Sequence, residues 1–240
     1  MENKSKRILI KEGINKDINI SNLFDVDQIN ITVSKDAKLN LTIALLNEYN
    51  DTRIKINVKE NAEANIYVAD FSNSSAKLTA LVKLEGEGAK GLWKTSCLSK
   101  NKEEKYYDIS FIHEVKNTSS EMINYGVATD SSVLTFKGIS HIQNNAAKSS
   151  ANQQAKIIVF DDEVKASSSP SLRIDNNDIN ASHSAIVGRL NEDHLYYLMS
   201  RGLSEDESRK LITYGYLSPI AEYFDDETKD EILKKISVRF

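Results

Sequence analysis

The sequence predicts an all-β protein of the parallel solenoid type with a small α-helical module at its C-terminal end. Apolar residues alternate with polar ones in short runs from Arg7 to about Ala181. These runs recur at intervals of roughly 10 to 15 residues, which is typical of repetitive β architectures. After Gly188 the apolar period changes from two to about 3.6, which indicates helices. We therefore divide the chain into a β-helix core, residues 1–188, and a helical module, residues 189–240.

The strand prediction rests on side-chain alternation. Successive side chains of a strand point to opposite faces of the sheet, so apolar residues at every second position indicate a strand with one buried face. The clearest runs are Ile29/Ile31/Val33, Leu39/Leu41/Ile43/Leu45, Ile54/Ile56/Val58 and Leu78/Ala80/Val82/Leu84. Each run supplies one apolar face to a common core.

The spacing of the runs fits a sandwich, a barrel or a solenoid, and the turn residues favour the solenoid. Nine glycines and two prolines serve all the turns, which is few for tight hairpins. The corners instead carry asparagine, which tolerates left-handed backbone best after glycine: Asn61, Asn73, Asn117 and Asn176–Asn177. A parallel coil needs only a bend at each corner. Two runs per turn give an expected repeat of roughly 20 to 30 residues, although no strict repeat is visible.

Capping signals divide the C-terminal module into short helices. Asn191 is a good N-cap with acidic residues directly after it, and Gly202 is expected to end this helix in the left-handed conformation. Residues 204–207 form a capping box for a second helix, which we expect to end near Gly215. Ser218–Pro219 begins a third helix, and a last amphipathic segment follows.

These helices carry more apolar and aromatic surface than one packing seam needs. The side chains concerned are Tyr196, Tyr197, Leu198, Met199, Leu211, Tyr214, Tyr216 and Leu217. Either the β-body or a partner protein must cover this surface.

Composition argues against several classes of protein. The net charge of −4 arises from 35 acidic and 31 basic side chains spread along the chain, so we expect no nucleic-acid and no membrane partner. Residues 1–20 lack an apolar run long enough for a signal peptide, and no stretch approaches roughly 18 apolar residues. We therefore expect a soluble, cytoplasmic protein. The sequence shows no phosphate-binding loop, catalytic triad or cysteine cluster.

Cys97 is the only cysteine of the chain. An intramolecular disulfide is excluded, and so is a metal site built from thiolates alone. The apolar context of Cys97 predicts an inert, half-buried side chain. We give a cluster-ligating role low weight, because no histidine or second cysteine lies nearby in sequence.

Several blocks of sequence carry a resemblance to a known family. Residues 181–212, ASHSAIVGRLNEDHLYYLMSRGLSEDESRKLI, combine a histidine-led strand, a glycine, a tyrosine- and leucine-rich helix, an Arg-Gly pair and an acidic helix start. Upstream lie YDISFIHEVKNTSS, residues 107–120, and the shorter matches FKG, PSLRI and NDI. From about residue 106 to 224 the chain resembles the SufB and SufD proteins, the β-helical scaffolds of iron–sulfur cluster assembly.

The chain resembles the SufD side of this family more than the SufB side. SufB proteins build a cluster site with a cysteine of the β-helix and an acidic residue directly after the histidine. Here Ser184 follows His183, and no cysteine lies between residues 98 and 240. Family members also carry a helical N-terminal region, whereas strands are predicted here almost from the first residue. The sequence therefore looks like an N-terminally reduced, SufD-like member.

The resemblance implies a right-handed parallel β-helix that acts as a non-catalytic scaffold subunit. It would pair with a SufB-like β-helical subunit or with itself as a homodimer. The helices of residues 191–224 would dock a SufC-type ATPase and transmit its ATP-driven motion to the β-helix interface where clusters form. The docking residues would be Tyr196, Leu198, Met199, Leu211, Tyr214 and Tyr216. We expect no cofactor in the isolated chain and a transient iron–sulfur cluster in the complex.

His183 is the one site residue that we single out. It is predicted to lie at a strand exit, where an imidazole could ligate iron or pair with a carboxylate. The alternative is a histidine that is hydrogen-bonded at a subunit interface without metal, and both interpretations stay open. We expect no metal site in the isolated chain, with His183 a candidate ligand in the complex. His113 is expected to face the core, and His141 and His194 to be solvated.

Two other functional classes compete with the scaffold hypothesis. Parallel β-helices also host carbohydrate-active enzymes, which use paired carboxylates, and four aspartates prompt that alternative: Asp161, Asp162, Asp175 and Asp178. The first two are better interpreted as a solvated turn. A purely structural β-solenoid explains the strands but leaves the aromatic-rich helical end without a purpose.

Overall fold

The computed structural model describes residues 5–21, 23 and 26–239. Within this part of the chain fourteen strands precede the helices. In chain order they are β1 (Ser5–Ile10), β2 (Asn15–Ile20), β3 (Gln28–Val33), β4 (Lys38–Leu45), β5 (Thr52–Val58), β6 (Glu63–Asp70), β7 (Ala76–Leu84), β8 (Lys90–Ser99), β9 (Glu104–His113), β10 (Ser119–Ala128), β11 (Val133–Ile142), β12 (Ser149–Val159), β13 (Lys165–Ile174) and β14 (Ile179–Arg189).

The strands form two seven-stranded sheets, one of odd-numbered and one of even-numbered strands. Every strand pairs in parallel with the strand two places along the chain. One odd and one even strand therefore make one coil. This arrangement confirms the predicted parallel solenoid and excludes the sandwich and the barrel for the described residues.

The coils lengthen along the chain, which explains why no strict repeat is visible in the sequence. Ser5 pairs with Gln28, 23 residues further on, whereas Val133 pairs with Lys165, 32 residues further on. The strands lengthen in parallel, from six residues in β1 to eleven in β14. The apolar period within each strand stays at two residues, so the strands can be recognised in the sequence although the length of the coil repeat changes.

The core lies between the two sheets and changes character along the solenoid. Corresponding positions of successive even strands form one interior row: Ile18, Leu41, Ile66, Trp93, Met122, Gln153 and His183. The members from Leu41 to Gln153 are buried. The row is apolar through Met122 and polar in its last two positions, so this row of the interior becomes polar in the final coils.

The corners use left-handed backbone at several polar residues. Positive φ occurs at Asp36, Asn61, Asn101, Asn117, Asp130 and Lys148, which confirms the predicted role of Asn61 and Asn117. Asn73 and Asn176–Asn177 lie in corners between strands as predicted, but they do not adopt positive φ. The side chain of Asn117 donates to Glu87 Oε1 at 2.8 Å in the neighbouring corner, and this bond ties adjacent coils together.

Four helical segments follow β14: α1 (Glu192–Ser200), α2 (Glu205–Leu217), a 3₁₀ helix (Ser218–Tyr223) and α3 (Asp226–Arg239). The Asn191 cap, the capping box of residues 204–207 and the left-handed Gly202 are present as predicted. Helix α2 continues two residues beyond Gly215. Ser218–Pro219 begins a 3₁₀ helix, a tighter element than the one predicted.

The helical module packs on the outer face of the even sheet. An apolar cluster joins the two parts: Ala44, Leu46, Ala69, Phe71, Leu98 and Val127 from the sheet, with Leu217, Ile220, Ala221, Phe224, Ile232 and Ile236 from the module. The sheet side chains lie near the carboxyl ends of their strands, on the face opposite the core. The β-body thus covers α2, the 3₁₀ helix and α3 along one side.

Candidate functional site

His183 lies in the middle of β14 and not at a strand exit as predicted. It is the fifth residue of an eleven-residue strand. Strand β14 is the end strand of the even sheet and pairs with β12 alone, where His183 lies opposite Gln153. The imidazole belongs to the interior row, but it is exposed because no further strand of the sheet stacks on β14. It therefore stands at the open end of the solenoid.

The terminal coil, formed by β13 and β14, presents an exposed surface around His183. Three large apolar side chains of this coil are exposed: Ile174, Ile186 and Val187. Both strands also end their sheets, so in the described part of the chain each leaves one edge of backbone N–H and C=O groups without a strand neighbour. Such edges are ready templates for pairing with another chain.

Gln153 forms the buried polar layer beneath His183. Its Nε2 donates to Ser140 Oγ at 2.7 Å and to the carbonyl oxygen of Ser171 at 3.1 Å. Gly138 leaves room for this side chain, because a Cβ there would lie 2.8 Å from Gln153 Oε1. These hydrogen bonds fix the orientation of the Gln153 amide, which forms the polar layer directly below His183.

The other histidines are structural or solvated. His113 is fully buried, with Nδ1 2.8 Å from Thr118 Oγ1 and Nε2 2.8 Å from Ser120 Oγ, which confirms its inward position. Burial, together with the charge of His141, lowers the pKa of His113 to about 4. His141 lies 2.6 Å from Asp175 Oδ2 and is half-buried, so the prediction that it is solvated is wrong. His194 is exposed.

No preformed metal cage is found among the described residues, since nowhere do three His, Cys, Asp or Glu side chains gather as a ligand set. Cys97 is fully buried and not half-buried as predicted. Burial raises its thiol pKa to about 12, so the thiol stays protonated and unreactive at neutral pH. His183, in contrast to Cys97 and His113, is exposed and open to a partner.

A fully buried ion pair lies inside the middle coils, and the sequence analysis missed it. Lys105 Nζ donates to Asp70 Oδ1 at 2.7 Å, and both side chains are completely inaccessible to solvent. Asp70 Oδ2 accepts bonds of 2.7 Å from the hydroxyls of Tyr49 and Tyr107. Lys105 precedes Tyr107 by two positions and so shares the inward phase of β9, which is the signal that would have revealed it.

The environment of Asp70 keeps its carboxyl ionised. Burial alone would raise the pKa, but the charge of Lys105 and the hydrogen bonds from Lys105, Tyr49 and Tyr107 outweigh it and lower the pKa below its ordinary value. The backbone N–H and hydroxyl of Ser72 also donate to Asp70 Oδ1 at 3.1 and 2.8 Å. The carboxylate is therefore saturated with donors.

A second buried ion pair connects this network to the helical module. Arg239, in the last turn of α3, bonds to Glu103, and the two side chains are each only 7% exposed. Arg239 Nη1 also donates to the carbonyl oxygen of Ser72 at 2.5 Å. That oxygen accepts from Lys105 Nζ at 3.0 Å as well. One carbonyl thus joins the end of α3 to the interior of the solenoid.

The six predicted docking residues divide into two groups. Tyr196, Met199 and Leu211 are exposed to 76%, 43% and 50%, and Leu198 is half-buried beside them. Tyr214 and Tyr216 are half-buried and pack towards the β-body. The Tyr216 ring lies 5.3 Å from that of Tyr125, and the Lys156 amine lies 5.1 Å from the same ring. Only the first group is free to contact a partner without rearrangement.

Three of the four aspartates that prompted the enzyme alternative, Asp161, Asp162 and Asp175, have side chains engaged in structural bonds. Asp161 accepts from Thr129 Oγ1 at 2.6 Å and from Arg209 of α2 at 3.1 Å, so it links a corner to the module and is more than a solvated turn. Asp162 forms an exposed ion pair with Arg189. Asp175 is bonded to His141. None of these contacts resembles a free pair of carboxylates across a cleft.

Along the stretches of chain described, no helix has both the length and the apolar character needed to cross a bilayer.

Comparison with known proteins gives a consistent result. The family described as SUF system FeS cluster assembly, SufBD core domain, matches residues 2–216. The iron–sulfur cluster assembly protein SufD of Bacillus subtilis is 34% identical over 137 residues, 57% of this chain and 31% of that protein. An iron–sulfur cluster assembly SufBD family protein of Staphylococcus saprophyticus is 30% identical over 200 residues, 81% of this chain and 42% of that protein. B. subtilis SufB is 30% identical over 139 residues, 58% of this chain and 30% of that protein. The chain thus spans less than half the length of these relatives.

Proposed function

The chain belongs to the SufB/SufD family of iron–sulfur cluster assembly proteins and is somewhat SufD-like, and we propose that it acts there as a non-catalytic scaffold subunit. In this role it docks a SufC-type ATPase through α1 and α2 and pairs through its terminal coil with a second β-helical subunit, SufB-like or identical. The setting that we propose is the cytoplasm. ATP hydrolysis belongs to the partner, because this sequence contains no phosphate-binding loop.

The observation that carries the proposal is the uncovered aromatic surface of α1. None of the nine residues of α1 is buried, and Tyr196 and Tyr197 are exposed to 76% and 55%. Leu211 of α2 is also half exposed. Large aromatic side chains of this kind supply most of the binding energy of protein interfaces. The β-body covers α2, the 3₁₀ helix and α3 along one side but buries no residue of α1, so the exposed α1 surface supports docking of a partner.

Two charge substitutions test the docking proposal. Tyr196→Asp and Leu211→Asp each place a carboxylate in the proposed interface, and each should weaken ATPase binding by about 2 kcal/mol or more, measured by calorimetry. Val238→Asp is the matched control, because Val238 of α3 is 74% exposed but lies outside this surface. Tyr216→Asp is a less specific probe, since Tyr216 also packs on Tyr125. Undiminished binding by both test variants would refute docking through α1 and α2.

The terminal coil supports the pairing proposal. Its exposed apolar side chains and its two open strand edges suit β-strand pairing with another chain. In such a pair His183 would face the partner subunit. One imidazole without soft ligands around it binds iron weakly, so the cluster, as the cargo of the complex, would need ligands from the partner.

Substitution of His183 tests whether this chain assists cluster assembly while the partner supplies the other cluster ligands. His183→Ala should leave the melting temperature nearly unchanged, because the imidazole is exposed, and should lower the yield of clusters in the reconstituted complex. The purified chain should be colourless. A brown, iron-loaded chain would contradict the proposal, and a large loss of stability in His183→Ala would show that the residue has a structural role.

A further inference from the structure

The outer face of the odd sheet carries a concentration of basic side chains. Side chains alternate along each strand, so those that do not enter the core point outwards from the sheet. The outward charged residues of the odd strands are eight bases and two acids: Arg7, Arg53, Lys55, Lys77, Lys83, Lys137, Lys165 and Arg173, against Glu104 and Asp108. The chain as a whole has 35 acids and 31 bases, so this face reverses the overall balance. Charges that are spread along the sequence are therefore segregated on the surface.

On the outer face of the even sheet the charges nearly balance. Its outward charged residues are four bases and three acids: Lys38, Lys90, Lys94 and Lys156, against Asp17, Glu63 and Glu121. The helical module also packs on part of this face, and its apolar cluster contains no side chain of an odd strand. The basic excess thus distinguishes the odd sheet, whose outer face is the one without the module.

Three half-buried apolar side chains lie in the middle of the basic face. Leu81 of β7 and Ile139 of β11 occupy one row across the strands, with Ser110 of β9 between them. Ile112 lies two residues further along β9 and points the same way. Neighbouring strands are about 4.8 Å apart, so the Cα atoms of Leu81 and Ile139 are about 10 Å apart. The three side chains therefore form a compact apolar centre.

Basic side chains surround this centre. Lys55 of β5 lies opposite Leu81 in the strand register, and Lys83 of β7 lies opposite Ile112. The other side of the centre is flanked by Lys137 of β11 and Arg173 of β13. An apolar centre with a polar, charged rim is the usual anatomy of a protein interface.

The carboxylates nearby neutralise only part of the basic rim. Asp108 Oδ2 lies 3.4 Å from the Lys137 amine and 3.8 Å from the Lys77 amine, so one carboxylate is shared by two amines. Glu114 pairs with Lys83 at 2.8 Å. The face therefore keeps a net positive charge.

Arg53 and Lys55 carry unneutralised charge on β5. Both side chains are exposed, and neither forms an ion pair with a described residue. They lie two residues apart, so they point from the same face of the strand and are about 7 Å apart along it. Two free cations held by a sheet suit carboxylates on the surface of a partner.

We propose that the outer face of the odd sheet is a docking surface for an acidic protein, with Leu81, Ile112 and Ile139 at its centre. The proposal is independent of ATPase docking through α1 and of pairing through the terminal coil, because it concerns a different face of the solenoid. An acidic protein brings carboxylates to the rim and apolar side chains to the centre. Nucleic acid would bring phosphates to both, and the net charge of −4 opposes its approach.

Binding of defined acidic polymers to the full chain tests the surface. Fluorescence anisotropy at low salt should show that the wild type binds a labelled random copolymer of glutamate and tyrosine. Lys55→Glu should weaken this binding about fivefold or more, because it reverses a charge in the rim. Lys90→Glu makes the same change at an exposed lysine of the even sheet and should keep the affinity within about twofold.

A second substitution tests the apolar centre. Leu81→Thr keeps a residue suited to strands, so the melting temperature should stay close to that of the wild type. The variant should bind the copolymer more weakly, and its affinity for polyglutamate, which has no apolar side chain, should not change. Equal effects on the two polymers would overturn the role of the centre.

The remaining outcomes decide whether the surface exists and what occupies it. A wild type that binds neither polymer, or equal losses in Lys55→Glu and Lys90→Glu, would overturn the docking surface. A DNA duplex, or vesicles that contain phosphatidylserine, may be added in place of the copolymer. Tighter binding of either one, lost in Lys55→Glu, would overturn an acidic protein as the partner.

Discussion

Replacing Lys105 by methionine removes one partner of the completely buried ion pair at the centre of the solenoid. Methionine is unbranched and flexible and fills nearly the same space, so the substitution deletes the charge with little change in packing. Asp70 keeps the hydrogen bonds from Tyr49, Tyr107 and Ser72, but it loses the contact with the positive charge of Lys105. The variant therefore isolates the contribution of that charge.

The expected loss is about 3 kcal/mol of unfolding free energy at pH 7. Breaking a buried pair costs roughly 3 to 5 kcal/mol, and the donors that remain on Asp70 place this case at the lower end. In the folded wild type the pKa of Asp70 lies below its value in the unfolded chain. Asp70 therefore stabilises the fold at every pH above the unfolded pKa, and this stabilisation is lost as the pH falls through the folded pKa. Without Lys105, burial is the largest remaining influence on Asp70, and we expect it to raise the pKa above the unfolded value. The carboxyl then destabilises the fold at neutral pH, and this penalty shrinks as pH falls.

Urea denaturation followed by the fluorescence of Trp93, the single and fully buried tryptophan, measures both effects. The gap between Lys105→Met and the wild type should be largest at pH 7 and narrower at pH 5. The Asp70→Asn/Lys105→Met double variant should recover at least about 1 kcal/mol, because no unpaired charge remains. A gap below about 1 kcal/mol at pH 7, or a double variant as unstable as the single one, would refute the electrostatic reasoning.

Three further predictions concern a crowded glycine, a buried thiol and a buried imidazole. Gly86→Ala should destabilise the fold by about 3 kcal/mol or more in urea denaturation, because the new Cβ would lie 1.9 Å from the backbone nitrogen of Glu60. Gly188→Ala is the control. No atom lies within 4 Å of its new Cβ, so it should change stability by less than about 0.5 kcal/mol. Cys97 should resist a thiol reagent in the native state at pH 8 and react fully in urea, and rapid native labelling would contradict its burial. His113 has a folded pKa of about 4 against an ordinary value of 6.5, so its contribution is complete above 6.5 and is lost as pH falls. The wild type should lose about 2 kcal/mol between pH 7 and pH 5 from this group, and His113→Asn should show a correspondingly smaller loss.

The sequence was most informative where a short period repeats. Alternation at Ile29, Ile31 and Val33 predicts a strand with one buried face, and all three side chains are in the core. The cap of α1 at Asn191 and the capping box at Ser204 were also predicted, because caps are local patterns in which the donor and acceptor lie within three residues.

Features that depend on neighbouring coils were harder to predict. The pairing of Lys105 with Asp70 joins residues 35 positions apart, and nothing local distinguishes Lys105 from a solvated lysine except its phase in β9. The position of His183 was misjudged for a similar reason. Strand β14 continues to Arg189 because β12 supplies its ladder, while its own exposed residues give little apolar alternation. The bond between His141 and Asp175 likewise depends on the stacking of two corners.

The residues proposed for docking could be chosen from the sequence by composition, but their arrangement in the fold could not be predicted. Tyr216 and Tyr196 look equally suited to a partner in the sequence, yet Tyr216 stacks on Tyr125 while Tyr196 is exposed. The difference arises from the side of each helix that meets the even sheet. The helical period predicts which residues share one apolar face of a helix, but it does not predict which neighbouring element covers that face.

The central claim is that two separate surfaces bind two different partners, and the mass of the assembly in solution tests it most directly. Light scattering after size-exclusion chromatography should show the wild-type chain in a complex with both a SufC-type ATPase and a β-helical partner. Tyr196→Asp should lose the ATPase and keep the β-helical partner, and Ile186→Asp, in the exposed terminal coil, should do the reverse. Val238→Asp should lose neither. A wild-type chain that stays monomeric with both proteins present, or variants that all assemble as the wild type does, would contradict the account.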